Sequence, residues 1–232
     1  MAEYTYTVEK PCPVCGEKTH ATKLKARLIT LGTDEDFCVH YEGVNPYRYR
    51  VWQCEHCGFA ADEKQFTEEP LSPRDKAKIQ ELLEGRKINL PYKEERTVED
   101  AIRAYKLGIY FAERLGWTLQ KQAGYCMGMA WVYRDTDERD KEDEMLRRAA
   151  ELYEKSVMTE HYPIHGMSDS MALYIVGAAY YRLGDYEKAT QMLSQIMGDQ
   201  EVRKNDVKLF ERTQSLWLEL REKKAEAEKA KS

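Results

Sequence analysis

Hydrophobic and polar positions change their period partway along the chain. Tyr4, Tyr6 and Val8 alternate with Thr5, Thr7 and Glu9, a two-residue period that predicts a strand. Leu24, Ala26 and Leu28 alternate with Lys25 and Arg27 and predict a second. After a turn at Asn45-Pro46, Tyr47, Tyr49 and Val51 alternate with Arg48, Arg50 and Trp52, predicting a third strand that runs into Cys54. Beyond residue 67 the period lengthens. Ser72-Pro73 supplies an N-cap with proline at the first helical position, Ile79, Leu82 and Leu83 form one apolar face, and Gly85 stops the helix. Thr97 to Asp100 makes a capping box with Asp in the place of Glu, and Ala101, Tyr105, Gly108, Ile109 and Ala112 keep helical spacing to Gly116. Further helices are predicted over residues 118–133, 145–158, 168–183 and 185–197. The charged stretch 135–143 is expected to be solvated, and residues 161–167 to form a loop around Pro163. Asn205-Asp206 opens a last helix with Leu209, Phe210, Leu216, Trp217 and Leu220, whose alternating charges at 222–231 predict a frayed tail.

The pattern therefore predicts an α+β chain: a small β module over residues 1–66, a connector with one helix over 67–96, and an all-α domain over 97–232. At 232 residues with 42% hydrophobic and 33% charged side chains and a mean hydropathy of −0.73, the composition excludes a disordered chain. No apolar run approaches the ~18 residues of a membrane span, and Met1-Ala2-Glu3-Tyr4 has neither the basic nor the apolar part of a secretory signal. The expected compartment is the cytoplasm, with no membrane partner. Residues 1–66 hold 8 Lys+Arg against 10 Asp+Glu, and the remainder 28 against 31. Neither part is basic, which argues against non-specific nucleic-acid binding and makes Lys23, Lys25, Arg27, Arg48 and Arg50 with Trp52 an ordinary solvated face.

Charge excludes; the cysteines point somewhere. Of six, only Cys126 lies beyond Cys57. Cys12-Pro13-Val14-Cys15-Gly16 and Cys54-Glu55-His56-Cys57-Gly58 are two C-x2-C-G knuckles. A two-residue spacing lets one tight turn aim both sulfurs at one ion, and the trailing glycine permits the positive φ that brings backbone N–H groups to the sulfurs. Two such turns predict a zinc ribbon in which Cys12, Cys15, Cys54 and Cys57 hold Zn²⁺. A redox role for C-P-x-C needs a βαβ context that the pattern lacks, and iron is the other metal to weigh. Four thiolates close the site, so the zinc is expected to be structural and to supply folding energy to a module too small for a large core. Cys38 and His40 lie between the knuckles and are candidates for an accessory ligand or a supporting hydrogen bond, as are His20 and His56. Cys126, among Met127 and Met129, is a core thiol. His161 and His165 flank Pro163 and form no helical pair.

Leu173, Gly177, Tyr180, Gly184-Asp185-Tyr186, Ala189, Leu193 and Ile196 follow the tetratricopeptide pattern, without its closing proline. Small residues at Gly177 and Ala189 let two helices approach, and Gly184-Asp185 reverses the chain. A degenerate earlier copy matches Gly128 and Trp131 to Gly177 and Tyr180, and Ala149, Tyr153 and Ser156 to Ala189, Leu193 and Ile196. Tyr174, Ala178, Tyr181 and Arg182 then face inward, where a peptide groove would lie; a scaffold or a self-associating surface is the alternative.

One family shows the same order of features. Lys10-Pro11 before the first knuckle, Asp34-x-Asp36-Phe37, Tyr41, Asn45-Pro46-x-x-Tyr49, the second knuckle with Phe59-Ala60, Ala130-Trp131-x-Tyr133-Arg134, and Leu173-Tyr174-x-x-Gly177 with Arg182 to Tyr186 follow one another along nearly the whole chain. In this the sequence resembles the bacterial domain of unknown function 2225 family. The resemblance implies a zinc-ribbon-like head on a tetratricopeptide-like tail and brings no catalytic residues. The expected function is a zinc-binding, non-enzymatic adaptor for a protein or peptide. Two alternatives remain: a metal enzyme with a site between head and tail, opened by Cys38 or His40 replacing a cysteine, and nucleic-acid binding through the ribbon.

Overall fold

In this computed structural model the described residues are 4–25, 27–85 and 90–229. Among them, six strands precede nine helices, the α+β order expected from the pattern. Strand β1 (Thr5–Pro11) pairs antiparallel with β2 (Lys18–Leu24), from Thr5 opposite Leu24 to Pro11 opposite Lys18. Short strands β3 (Thr30–Thr33) and β4 (Val39–Tyr41) form a second hairpin. In the third, β5 (Val51–Gln53) pairs with β6 (Ala60–Asp62), with Trp52 opposite Ala61.

Two strand boundaries differ from the period-two reading. β2 lies upstream of the expected second strand, which it meets only at Leu24, while Ala26 falls outside the described residues. Residues Pro46–Tyr49 form a 3-10 turn instead of a strand. The Asn45 side chain accepts from Tyr47 N at 2.8 Å, and proline at the first position fixes φ, so the local N-cap outweighs the alternation. Trp52, counted on a solvated face, is 2% exposed.

Helix α1 (Glu63–Thr67) follows β6 directly. Helix α2 (Pro73–Leu83) starts as expected, with Ser72 accepting from Asp75 N. In α3 (Val98–Leu115) both hydrogen bonds of the Thr97–Asp100 capping box form, and Gly116 closes the helix at φ 67°. Helices α4 (Leu119–Arg134) and α5 (Arg139–Thr159) follow. The charged stretch is shorter and drier than its composition suggested. α5 begins at Arg139, and Glu142 is buried against the buried Arg134, whose Nε donates to it at 2.7 Å. α6 (Asp169–Arg182) and α7 (Tyr186–Gly198) are capped by Ser168 and Asp185 around the Gly184 turn. α8 (Gln200–Asn205) leads into α9 (Val207–Lys229), which continues through residues 222–229 of the stretch expected to fray; 230 and 231 lie outside the described residues.

The chain divides into two compact units: residues 1–32, 39–117 and 125–142, and residues 33–38, 118–124 and 143–232. The division follows contacts and does not coincide with residues 66 and 96. In the first unit, α3 packs on β5 and β6, and the segment around Tyr92 and Glu94 bonds to Thr5, Thr7 and Thr22 of the β1–β2 hairpin. One buried cluster joins Cys12, Val14, Trp52, Cys54, Phe59 and Phe66 to Ile79 of α2 and Phe111 of α3. Phe59 lies 5.3 Å from the rings of both Phe66 and Phe111. In the second unit, α6 and α7 form a tight hairpin and α9 packs on both. A Cβ on Gly177 would meet Leu193 Cδ2 at 2.7 Å, the close approach that the small residue was expected to permit. Among the described residues, no helix is long and apolar enough to cross a membrane.

Candidate metal centre

The two knuckles are the tips of two hairpins. Cys12 follows the last residue of β1, and Cys54 to Cys57 bridge β5 and β6. The repeated sequence produces repeated hydrogen bonds. Cys12 N donates to Glu17 O at 2.9 Å and Gly16 N to Cys12 O at 2.9 Å; Cys54 N donates to Phe59 O at 2.8 Å and Gly58 N to Cys54 O at 2.9 Å. Gly16 and Gly58 take φ of 79° and 81°, which a side chain would strain, so the glycine after each pair closes the turn.

These turns bring Cys12, Cys15, Cys54 and Cys57 together, with all four sulfurs within 4.8 Å of one another. Sγ of Cys12 lies 3.7 Å from that of Cys57, and Sγ of Cys15 lies 3.7 Å from that of Cys54. Those separations are far above the ~2.05 Å of a disulfide. They match the ~3.8 Å edge of a tetrahedron with ~2.3 Å zinc–sulfur bonds. Cys12 and Cys54 are buried, Cys57 is partly so, and Cys15 faces solvent. The donor set can therefore hold one soft, four-coordinate ion at the edge of the aromatic core.

Hydrogen bonds among Cys12, Cys54 and Cys57 shift these three thiols in opposite directions. The hydrogen bond to Cys54 pushes Cys12 up to about 12, while the bonds that Cys54 receives from Cys12 and Cys57 hold its pKa far below the usual thiol range. Cys57 is raised, first by its bond with Cys12. A soft cation would take the place of the protons that these thiols share.

Side chains around the knuckles fix them to the neighbouring hairpin. Glu55 Oε1 lies 2.8 Å from His20 Nδ1, Thr19 Oγ1 accepts from Glu55 N at 3.3 Å, and His56 Nε2 donates to Lys18 O at 2.9 Å. His20 and His56 are therefore supports of the second knuckle and not members of the four-cysteine group. Neither Cys38 nor His40 joins that group; Cys38 is buried, and His40 is exposed on β4. Cys126 is fully buried, as its setting in α4 implied.

The residues expected to face a groove have different surroundings. Tyr174 is fully buried, and its hydroxyl donates to Glu35 O at 2.9 Å. Tyr181 is half-buried with its ring 6.1 Å from that of Tyr186, and Arg182 is half-buried at the end of α6. Arg212, which no motif flagged, donates to Tyr174 Oη at 3.0 Å and to Asp34 O at 2.6 Å. The one sequence signal near it was Phe37 in the Asp34-x-Asp36-Phe37 motif.

A family model described as an uncharacterized protein conserved in bacteria (DUF2225) matches residues 5–220, most of the chain. No curated protein and no solved structure matches.

Proposed function

The chain belongs to this uncharacterised bacterial family, DUF2225, and from that premise we propose that it is a zinc-binding adaptor whose helical unit engages a protein segment. The observation that carries the metal assignment is the convergence of Cys12, Cys15, Cys54 and Cys57 with two cross-knuckle sulfur separations of 3.7 Å. Four thiolates complete a tetrahedron, so an ion held there orders the two hairpin tips and offers no vacant position to a substrate. The adaptor role draws support from the paired helices of the second unit, in which Tyr174 and Arg212 direct donors at main-chain carbonyls, the groups that every peptide presents.

Elemental analysis and X-ray absorption test the metal. The expected result is one zinc per chain with sulfur-only ligands at about 2.3 Å, and a loss of zinc in Cys54→Ser. Nitrogen or oxygen in the coordination shell, or unchanged zinc in that variant, overturns the assignment. Affinity capture from the native host, with zinc-loaded full-length protein as bait, tests the adaptor role. Failure to retain any protein specifically overturns it.

A further inference from the structure

We infer that α6 and α9 form a recognition site for a short, acidic turn ending in an aromatic residue, and that the chain's own Asp34–Phe37 turn is its resident ligand, which a partner segment of the same chemistry displaces. The inference rests on the adaptor reading and names the kind of partner.

The receptor side has three functions in two residues. Tyr174 of α6 donates to Glu35 O at 2.9 Å, and Arg212 of α9 donates to Asp34 O at 2.6 Å, so two consecutive carbonyls are read. The Arg212 guanidinium also lies 4.4 Å from the centre of the Phe37 ring, with the Tyr174 ring 5.2 Å from the same ring. Phe37 is thereby held by a cation–π contact and an aromatic contact. Arg212 Nε donates to the Tyr174 hydroxyl at 3.0 Å, which couples the two receptor groups.

The ligand side is a compact turn. Phe37 N donates to Asp34 O at 3.1 Å, and Asp34 N to Cys38 O at 2.8 Å. Phe37 has φ of 67°, a conformation that a non-glycine residue keeps only where its surroundings hold it. Main-chain reading tolerates many sequences, whereas the aromatic pocket and the cationic Arg212 select an aromatic residue in an acidic setting. Asp34, Glu35 and Asp36 provide that setting here. A segment in cis occupies such a site at high effective concentration, so a partner in trans meets a mostly filled site.

The probe is a fluorescein-labelled peptide of residues 31–40 carrying Cys38→Ser, titrated against the zinc-loaded full chain by fluorescence anisotropy. Phe37→Gly in the protein keeps the backbone conformation and removes the ring that fills the site. The expected result is binding to this variant about tenfold or more tighter than to the wild type, with the gain abolished by adding Arg212→Ala. Tyr174→Phe, which deletes a single hydroxyl, is a second variant should Arg212→Ala fail to fold; it is expected to weaken binding several-fold. Equal binding to wild type and Phe37→Gly, or binding that folded Arg212→Ala and Tyr174→Phe leave unchanged, overturns the inference. Host-protein capture separates the two proposals. Capture that persists while the peptide binds nothing defeats this site and leaves the adaptor; peptide binding without a captured partner does the reverse.

Discussion

Gly177 sets the distance between α6 and α7, and replacing it by alanine measures how tightly that distance is held. A methyl there would stand 2.7 Å from Leu193 Cδ2 and 2.8 Å from Leu193 Cγ. Carbon atoms in contact rest about 3.5–4.0 Å apart, so the overlap is near 1 Å. Leu193 is fully buried, and its Cγ is a branch point close to the backbone, so rotation of a terminal methyl does not relieve the clash. Overpacking of this kind costs about 1–3 kcal/mol, against about 1 kcal/mol gained from the better helix propensity of alanine. The difference is about 0–2 kcal/mol, and an overlap of this size beside a branch point puts Gly177→Ala at the destabilising end of that range, near 2 kcal/mol.

Leu193→Ala alone opens a cavity and costs about 2–5 kcal/mol. In the double variant the new methyl enters that cavity, so the double is expected to be more stable than additivity allows by about 2 kcal/mol. Gly198→Ala is the control: it ends α7 with nothing within 4 Å of a new Cβ, and should cost nothing. Denaturant unfolding of the zinc-loaded chain, followed by far-UV circular dichroism, gives all four values. An additive cycle, or a Gly177→Ala protein as stable as the wild type, would refute the claim that this glycine sets the helix spacing.

Two further perturbations test buried charge. Arg134 and Glu142 side chains are 6% and 3% exposed and 2.7 Å apart. Glu142→Gln removes the carboxylate charge that faces the buried guanidinium and is expected to lower stability by about 3 kcal/mol, whereas Arg134→Met with Glu142→Leu should recover most of that loss in the same unfolding assay. Asp100 is opposed by burial, but bonds from Arg103, Lys93 and Thr97 outweigh it and hold its pKa at about 2. A depressed carboxylate stabilises above its unfolded pKa and loses that contribution as pH falls toward the folded value. Asp100→Asn should thus cost up to about 2 kcal/mol at neutral pH, and urea titrations should show the gap to wild type closing between pH 4 and 2.

What the sequence made legible was what local chemistry decides. The Ser72, Thr97, Ser168 and Asp185 caps, the Gly116 and Gly184 stops and both C-x2-C-G turns are short-range devices, and all formed where the residues placed them. The errors occur where a longer-range contact or a competing local motif governs. Alternation at Tyr47 to Tyr49 lost to the Asn45-Pro46 cap, while Val51 and Trp52 do lie in a strand, β5. The charged stretch after Arg134 looked solvated because nothing local reveals that Glu142 finds a buried arginine. Arg212 was invisible because its contacts, Asp34 and Tyr174, lie 178 and 38 residues away in the chain.

The metal's energetic role also looks different once the packing is known. A head of about sixty residues judged alone has little core, which implied that an ion supplies its folding energy and that its loss melts the module. Yet Cys12 and Cys54 share one buried cluster with Trp52, Phe59, Phe66, Ile79 of α2 and Phe111 of α3. The aromatic centre is thus packed against Ile79 and Phe111, on two helices that contribute no ligand to the cysteine cluster. Chelation should therefore act locally. Hydrogen exchange of the metal-free chain is expected to show lost protection at the amides of Cys12, Gly16, Cys54 and Gly58, whose bonds belong to the knuckles. Amides near Phe111 in α3 should keep theirs. Loss of protection through α3 on the same timescale would show that the ion and the core fold as one step, and would return the metal to the role that the isolated sequence suggested.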